Sequence, residues 1–71
     1  MNLTAEQFTT LRLYSPESYS LFLKNRTYFT DPLVCKKIVK LLEIKKLNWE
    51  NRRPTVANKI QEIINKFEQH I

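Results

Sequence analysis

Apolar residues recur at intervals of three and four positions through the second half of the chain, which is the spacing that places them on one face of an α-helix. In the last segment these residues are Val56, Ile60, Ile63, Ile64, Phe67 and Ile71. In the preceding segment they are Val34, Cys35, Ile38, Val39, Leu41 and Leu42. The pattern predicts two long amphipathic helices, one from about Pro32 to Lys46 and one that begins at Pro54-Thr55.

Signals that start a helix occur at three positions, two of them before the long helices. They are Thr4 with Gln7, Ser15 with Pro16, and Asp31 with Pro32. The first has the spacing of a capping box, and the other two place a capping side chain before a proline, which the first helical turn tolerates. We therefore expect a short helix from the first signal to about Tyr14, and a second short helix that ends near Asn25.

Nothing in the sequence indicates β-strands. Runs of alternating apolar and polar residues are absent, and the chain has no glycine, the residue that most readily supplies the positive φ angles of tight hairpins. We predict an all-α fold, with a single helical domain over residues 1–71. In this small bundle of three to four helices, two short N-terminal helices pack on a long C-terminal helix pair.

The third predicted helix also carries apolar residues on its polar side. Leu33, Ile44 and Leu47 lie away from the expected core face, among charged residues. Either the short helices cover this second apolar line or a binding partner does. Trp49 falls in the polar connection predicted over 48–53, so it is another large side chain outside the helices.

Composition and charge limit the classes of partner and binding site that this chain can have. The 71 residues carry a formal net charge of +5, which attracts nucleic acid, acidic protein surfaces or anionic lipid. The absence of glycine excludes the phosphate-binding loops of Walker and Rossmann sites. Cys35 is the only cysteine, so no internal disulfide can form, and no apolar run is long enough to cross a membrane. We expect a protein of the reducing cytoplasm.

Groups able to catalyse a reaction are scarce. His70 is the only histidine and lies next to the C-terminus, where we expect it to be solvated, while Cys35 falls on a core face. The acids are scattered, and one cysteine with one distant histidine cannot supply the ligands that zinc requires. We therefore predict a protein that is not an enzyme, with no metal, no cofactor and no small-molecule substrate.

Nucleic acid is the partner we place first, with DNA ahead of RNA. A helix, a short connection and a second helix follow the order of a helix-turn-helix, and the polar side chains near the last helix suit bases and phosphates. The predicted contact residues are Arg52, Arg53, Thr55, Asn58, Lys59, Lys36, Lys37 and Lys40. Two points weaken this interpretation: the connection of about six residues is long for the motif, and polar side chains of this kind are equally typical of the solvated side of a core helix.

Protein is the alternative partner. Large apolar side chains off the main core face are typical interface anchors, and the predicted set is Trp49, Leu33, Ile44 and Leu47. The partner would be a larger protein with an acidic surface, or a second copy of the chain in a homodimer. We set binding to a membrane surface aside because the polar face of the last helix mixes lysine with acids and amides.

Overall fold

The computed structural model describes residues 3–24 and 31–71, and every regular element in these ranges is an α-helix. The helices are α1 (Ala5–Tyr14), α2 (Pro16–Lys24), α3 (Pro32–Glu50) and α4 (Pro54–Glu68). The predicted all-α fold, with two short helices packed on a long C-terminal pair, is confirmed. The predicted end of α2 at Asn25 lies outside the described residues.

Local capping chemistry sets the starts of α1 and α3. The Thr4 hydroxyl accepts a hydrogen bond from the backbone N–H of Gln7 at 3.1 Å, and the Gln7 side chain accepts one from the backbone N–H of Thr4 at 2.9 Å. This is the predicted capping box. At α3 the Asp31 carboxylate accepts from the backbone N–H of Leu33 at 3.0 Å, with Pro32 in the first turn.

The predicted end of α3 at Lys46 is wrong, because the helix continues to Glu50. No glycine or proline lies between these two positions, so nothing in the backbone stops the helix there. The helix ends at Glu50, shortly before Pro54, which keeps the residue preceding it out of the helical conformation; Arg53 has φ −146° and ψ 88°. The connection to α4 is therefore three residues long, and Trp49 lies in the last turn of α3.

The core is one cluster of buried side chains from all four helices. Its aromatic part joins the N-terminal and C-terminal halves of the chain. Phe22 on α2 packs edge-on against Phe8 of α1, with ring centroids 5.4 Å apart, and against Phe67 of α4 at 5.9 Å. Such edge-to-face pairs add about 0.5–1.5 kcal/mol beyond the burial of their area.

Polar contacts between helices show which helices are neighbours. The contacts are Lys59 with Glu6 at 3.3 Å, Lys66 with Gln7 at 2.8 Å and Lys45 with Glu17 at 3.5 Å. The first two join α4 to α1, and the third joins α3 to α2. Because α3 also packs along α4, the four helices form a closed ring around the core, and each long helix keeps one face toward solvent.

Candidate functional site: the outer face of helix α3

Helix α3 has an inner face in the core and an outer face in water. Cys35, Ile38 and Leu42 on the inner face are 0% exposed. On the opposite side Leu33, Ile44 and Leu47 are 68%, 57% and 66% exposed. The sequence left open whether the short helices cover this second apolar line, and the structure shows that none of the described residues buries it.

Two lysines complete a continuous line on the outer face. At 100° per residue, five positions fall within about 40° of one direction. They are Leu33, Lys37, Lys40, Ile44 and Leu47, and we call them the outer seam. Their spacing alternates between four and three residues. The seam therefore presents aliphatic side chains at both ends and two cations in the middle.

The lysines of this face differ from those elsewhere in the bundle. Lys36, Lys37 and Lys40, here called the lysine cluster, are exposed, and among residues 3–24 and 31–71 none of them forms an ion pair. Lys45 and Lys59 each pair with an acid of a neighbouring helix. Most of the unpaired positive charge on α3 thus lies between the aliphatic ends of the outer seam.

A groove of about 280 Å³ borders the seam at its C-terminal end, between α3 and α4. Its lining residues are Glu43, Lys46, Leu47, Gln61, Ile64 and Glu68. Ile64 is buried and forms the apolar base, while the ammonium group of Lys46 donates to the side-chain oxygen of Gln61 at 2.6 Å. The groove adds a concave region at this end of the outer face, with the carboxylates of Glu43 and Glu68 in its lining.

The predicted nucleic-acid residues do not form one surface. Arg52, Arg53, Thr55 and Asn58 are exposed around the connection between α3 and α4, whereas the lysine cluster lies toward the start of α3. A helix rises 1.5 Å per residue, so Lys36 and the end of α3 are about 21 Å apart. Lys59 faces α1 rather than either group, and pairs with Glu6.

The relation between α3 and α4 differs from a helix-turn-helix. The three-residue connection has the length of that motif, which corrects the predicted length of six. However, Glu43 and Glu68 line the same groove although they lie well before and well after the connection. This requires α3 and α4 to lie side by side as an antiparallel pair, whereas helix-turn-helix axes cross steeply and separate beyond the turn.

Trp49, predicted as an interface anchor in a loop, lies at the edge of the core. Its ring is half-buried and packs edge-on against Tyr14 of α1, with centroids 5.1 Å apart. The guanidinium carbon of Arg52 lies 5.5 Å from the ring centroid, which is within the range of a cation–π contact. These contacts account for Trp49 and partly for Arg52 without a partner.

The two candidate reactive groups, Cys35 and His70, are not part of the outer seam. Cys35 is fully buried, and burial, with a smaller contribution from the charge of Asp31, raises the pKa of its thiol. A raised pKa lowers the thiolate fraction and hence the nucleophilicity of the sulfur. His70 is half-buried, so the prediction of a solvated tail residue was wrong. Among the described residues no group of three potential metal ligands occurs.

Comparison with protein-family models, with curated proteins and with solved structures found no match to this chain. Within the described ranges, none of the helices has the length and apolar character needed to cross a membrane.

Sequence reasoning missed the groove. Its residues come from two helices, and only the pairing of α3 with α4 brings Glu43 beside Glu68. It also missed Leu13 on α1 and Leu23 on α2, each 60% exposed. Unlike the seam, these leucines do not follow one another along a single helix, and single exposed leucines are common on protein surfaces.

Proposed function

We propose that this chain is a non-catalytic binding module that docks a protein partner with acidic side chains on the outer seam of α3. The observation that carries the proposal is that Leu33, Ile44 and Leu47 lie exposed in one line with unpaired lysines between them. Burying a large aliphatic side chain is worth about 1.5–3 kcal/mol, so each of these has a substantial part of that energy left to gain.

Charge favours the same partner. The lysine cluster has no acid paired with it in the described part of the chain, and the whole chain carries +5. An acidic surface would both neutralise these cations and be drawn toward the chain at long range. Aliphatic residues interleaved with lysines favour protein over nucleic acid, because a phosphate backbone has no apolar surface that would cover the leucines.

Site-specific photocrosslinking in the cells that make the protein tests this proposal. A photoreactive amino acid at Leu47 should give a discrete protein adduct, and the matched control at the similarly exposed Leu13 on α1 should not. The adduct should disappear when Lys37 and Lys40 are both replaced by Glu. Identical adducts from both positions, or an adduct with nucleic acid at Leu47, would contradict the proposal.

DNA is the second candidate partner. It is favoured by the exposure of Arg52 and Arg53 together with that of the lysine cluster, which gives two basic patches about 21 Å apart. If this candidate holds, affinity for duplex DNA should fall steeply between roughly 50 and 200 mM salt as phosphate contacts are lost. Replacing Arg52 and Arg53 by Ala should weaken such binding and leave crosslinking at Leu47 intact.

A further inference from the structure

The outer seam has the spacing with which one helix recognises another. Its five positions alternate by four and three residues, an average of 3.5, which keeps the same line of side chains facing a partner helix over several turns. A flat or irregular partner surface does not require this regularity. Since Leu33 and Leu47 are fourteen residues apart, the seam is about 21 Å long, enough for four turns of a partner helix.

The middle of the seam selects which helix can bind. Lys37 and Lys40 occupy positions where a coiled coil usually buries apolar residues, and a lysine there lowers stability unless the partner supplies an acid. The seam itself contains no acid. In any seam-to-seam pairing of two copies, these lysines would therefore face lysines or aliphatic side chains, which disfavours a second copy as the occupant.

We infer that the outer seam binds an amphipathic α-helix of the partner protein, one with carboxylates opposite Lys37 and Lys40 and aliphatic side chains opposite Leu33, Ile44 and Leu47. The inference rests on the proposed function and specifies its partner. The aliphatic stems of the lysines lie along apolar surface while their ammonium groups reach the carboxylates. The leucines and isoleucine of the seam are then buried, and each lysine charge has a partner.

The groove gives the C-terminal end of the seam a distinct anchor. Leu47 belongs to both, and Ile64 forms the base of the groove. One side chain of the docked helix enters the groove beside Leu47 and excludes water from that end of the seam. Anchors that fill a pocket usually contribute most of the binding energy of an interface.

Two synthetic helical peptides test the inference. Each is about three heptads long with leucines along one seam, stapled on the opposite face to hold the helix. The acidic probe has Glu at the two central seam positions, and the basic probe has Lys there. Fluorescence anisotropy at physiological ionic strength should show the acidic probe binding at least about tenfold tighter, since two attractive pairs replace two repulsive ones.

Charge reversal in the protein gives the decisive control. The double variant Lys37→Glu, Lys40→Glu should reverse the preference, so that the basic probe binds tighter. The variant Ile44→Asp, Leu47→Asp should lose at least about tenfold in affinity for the acidic probe, while Leu13→Asp, on a different helix, should remain within about twofold. Circular dichroism verifies that each variant is folded, as expected for substitutions of exposed residues.

The outcomes separate the inference from the proposed function. Equal affinity for both probes, no binding of either, or a preference that survives charge reversal would overturn the inference. In those cases a protein adduct at Leu47 would still support a docking module with another kind of partner. A dimer in sedimentation that Ile44→Asp dissociates would assign the seam to a second copy and overturn the inference, whereas absence of the Leu47 adduct would overturn the proposed function.

Discussion

The two faces of α3 carry similar aliphatic side chains but differ in what surrounds them. On the inner face Ile38 and Leu42 are fully buried, whereas on the outer face Ile44 and Leu47 are 57% and 66% exposed. The inner face contributes to folding because burial removes its apolar surface from water. The apolar side chains of the outer face remain in water and contribute no such stabilisation. One helix thus has a face that is buried in the bundle and a face whose apolar residues stay exposed among the described residues.

The largest expected difference between the faces is in stability. Leu42→Ala should lower the free energy of unfolding by about 3 kcal/mol, because it removes buried methyl groups and leaves a cavity. Leu47→Ala, the matched outer-face control, should change it by less than about 0.5 kcal/mol. Urea denaturation followed by circular dichroism measures both. Similar losses in the two variants would mean that the outer face also supports the fold.

Substitutions of Trp49 test whether this residue belongs to the core or to the docking surface. Its half-buried ring packs on Tyr14, so Trp49→Ala should lower the free energy of unfolding by about 2 kcal/mol. Trp49→Phe retains the ring contact and should recover much of the loss. A contrary result, in which Trp49→Ala is stable but loses the Leu47 crosslink, would make Trp49 the interface anchor that the sequence predicted.

Local rules made much of the fold predictable. The capping box at Thr4, the Asp31-Pro32 start and the apolar face of α4 depend only on residues within one or two turns of each other, and all three are present. The one exception is Ile71, which was predicted on that face but lies beyond the end of α4 and is 49% exposed. The predicted end of α3 lies four residues too early. The polar residues over 48–53 are typical of a connection, but none of them is a glycine or proline that would stop a helix. Since α3 continues to Glu50, Trp49 was wrongly placed in a loop.

The candidate site was only partly predictable. Helical periodicity identified Leu33, Ile44 and Leu47 as lying off the core face, but it could not decide whether α1 and α2 cover them. Which helix lies against α3 depends on contacts between residues far apart in sequence, such as Lys45 with Glu17. The groove and the pairing of Lys59 with Glu6 depend on the same tertiary arrangement, so the sequence pattern gave no sign of them.

At high pH, the free energy of unfolding should depend on whether a thiol lies on the inner or the outer face of α3, and Cys35 lies on the inner face. Burial raises the pKa of this thiol in the folded state above its ordinary value of 9.0, so the folded protein holds the proton more tightly than the unfolded chain. The resulting stabilisation is fully present below pH 9 and is lost as the pH rises through the folded-state pKa. Unfolding free energies between pH 8 and 10.5 should therefore decline more steeply in wild type than in Cys35→Val.

Comparing the pH dependence of the unfolding free energy in wild type and in Cys35→Val isolates the thiol, because every other ionisable group is common to both proteins. Adding Leu47→Cys to Cys35→Val moves the thiol to the outer face, where water remains available to the thiolate. That variant should follow the shallower profile. Parallel profiles for wild type and Cys35→Val would show that the inner face imposes no penalty on the charged sulfur.

The smallest expected effect on stability belongs to the outer seam. Ile44→Gln with Leu47→Gln should change the free energy of unfolding by no more than about 0.5 kcal/mol per site, because both side chains are mostly exposed and Gln forms helices well. Urea denaturation measures this change, and the acidic helical probe measures binding by the same variant. Unchanged stability with lost binding would separate docking from folding on a single helix. If the variant unfolds instead, the outer face belongs to the fold, and the docking surface proposed for it loses its physical basis.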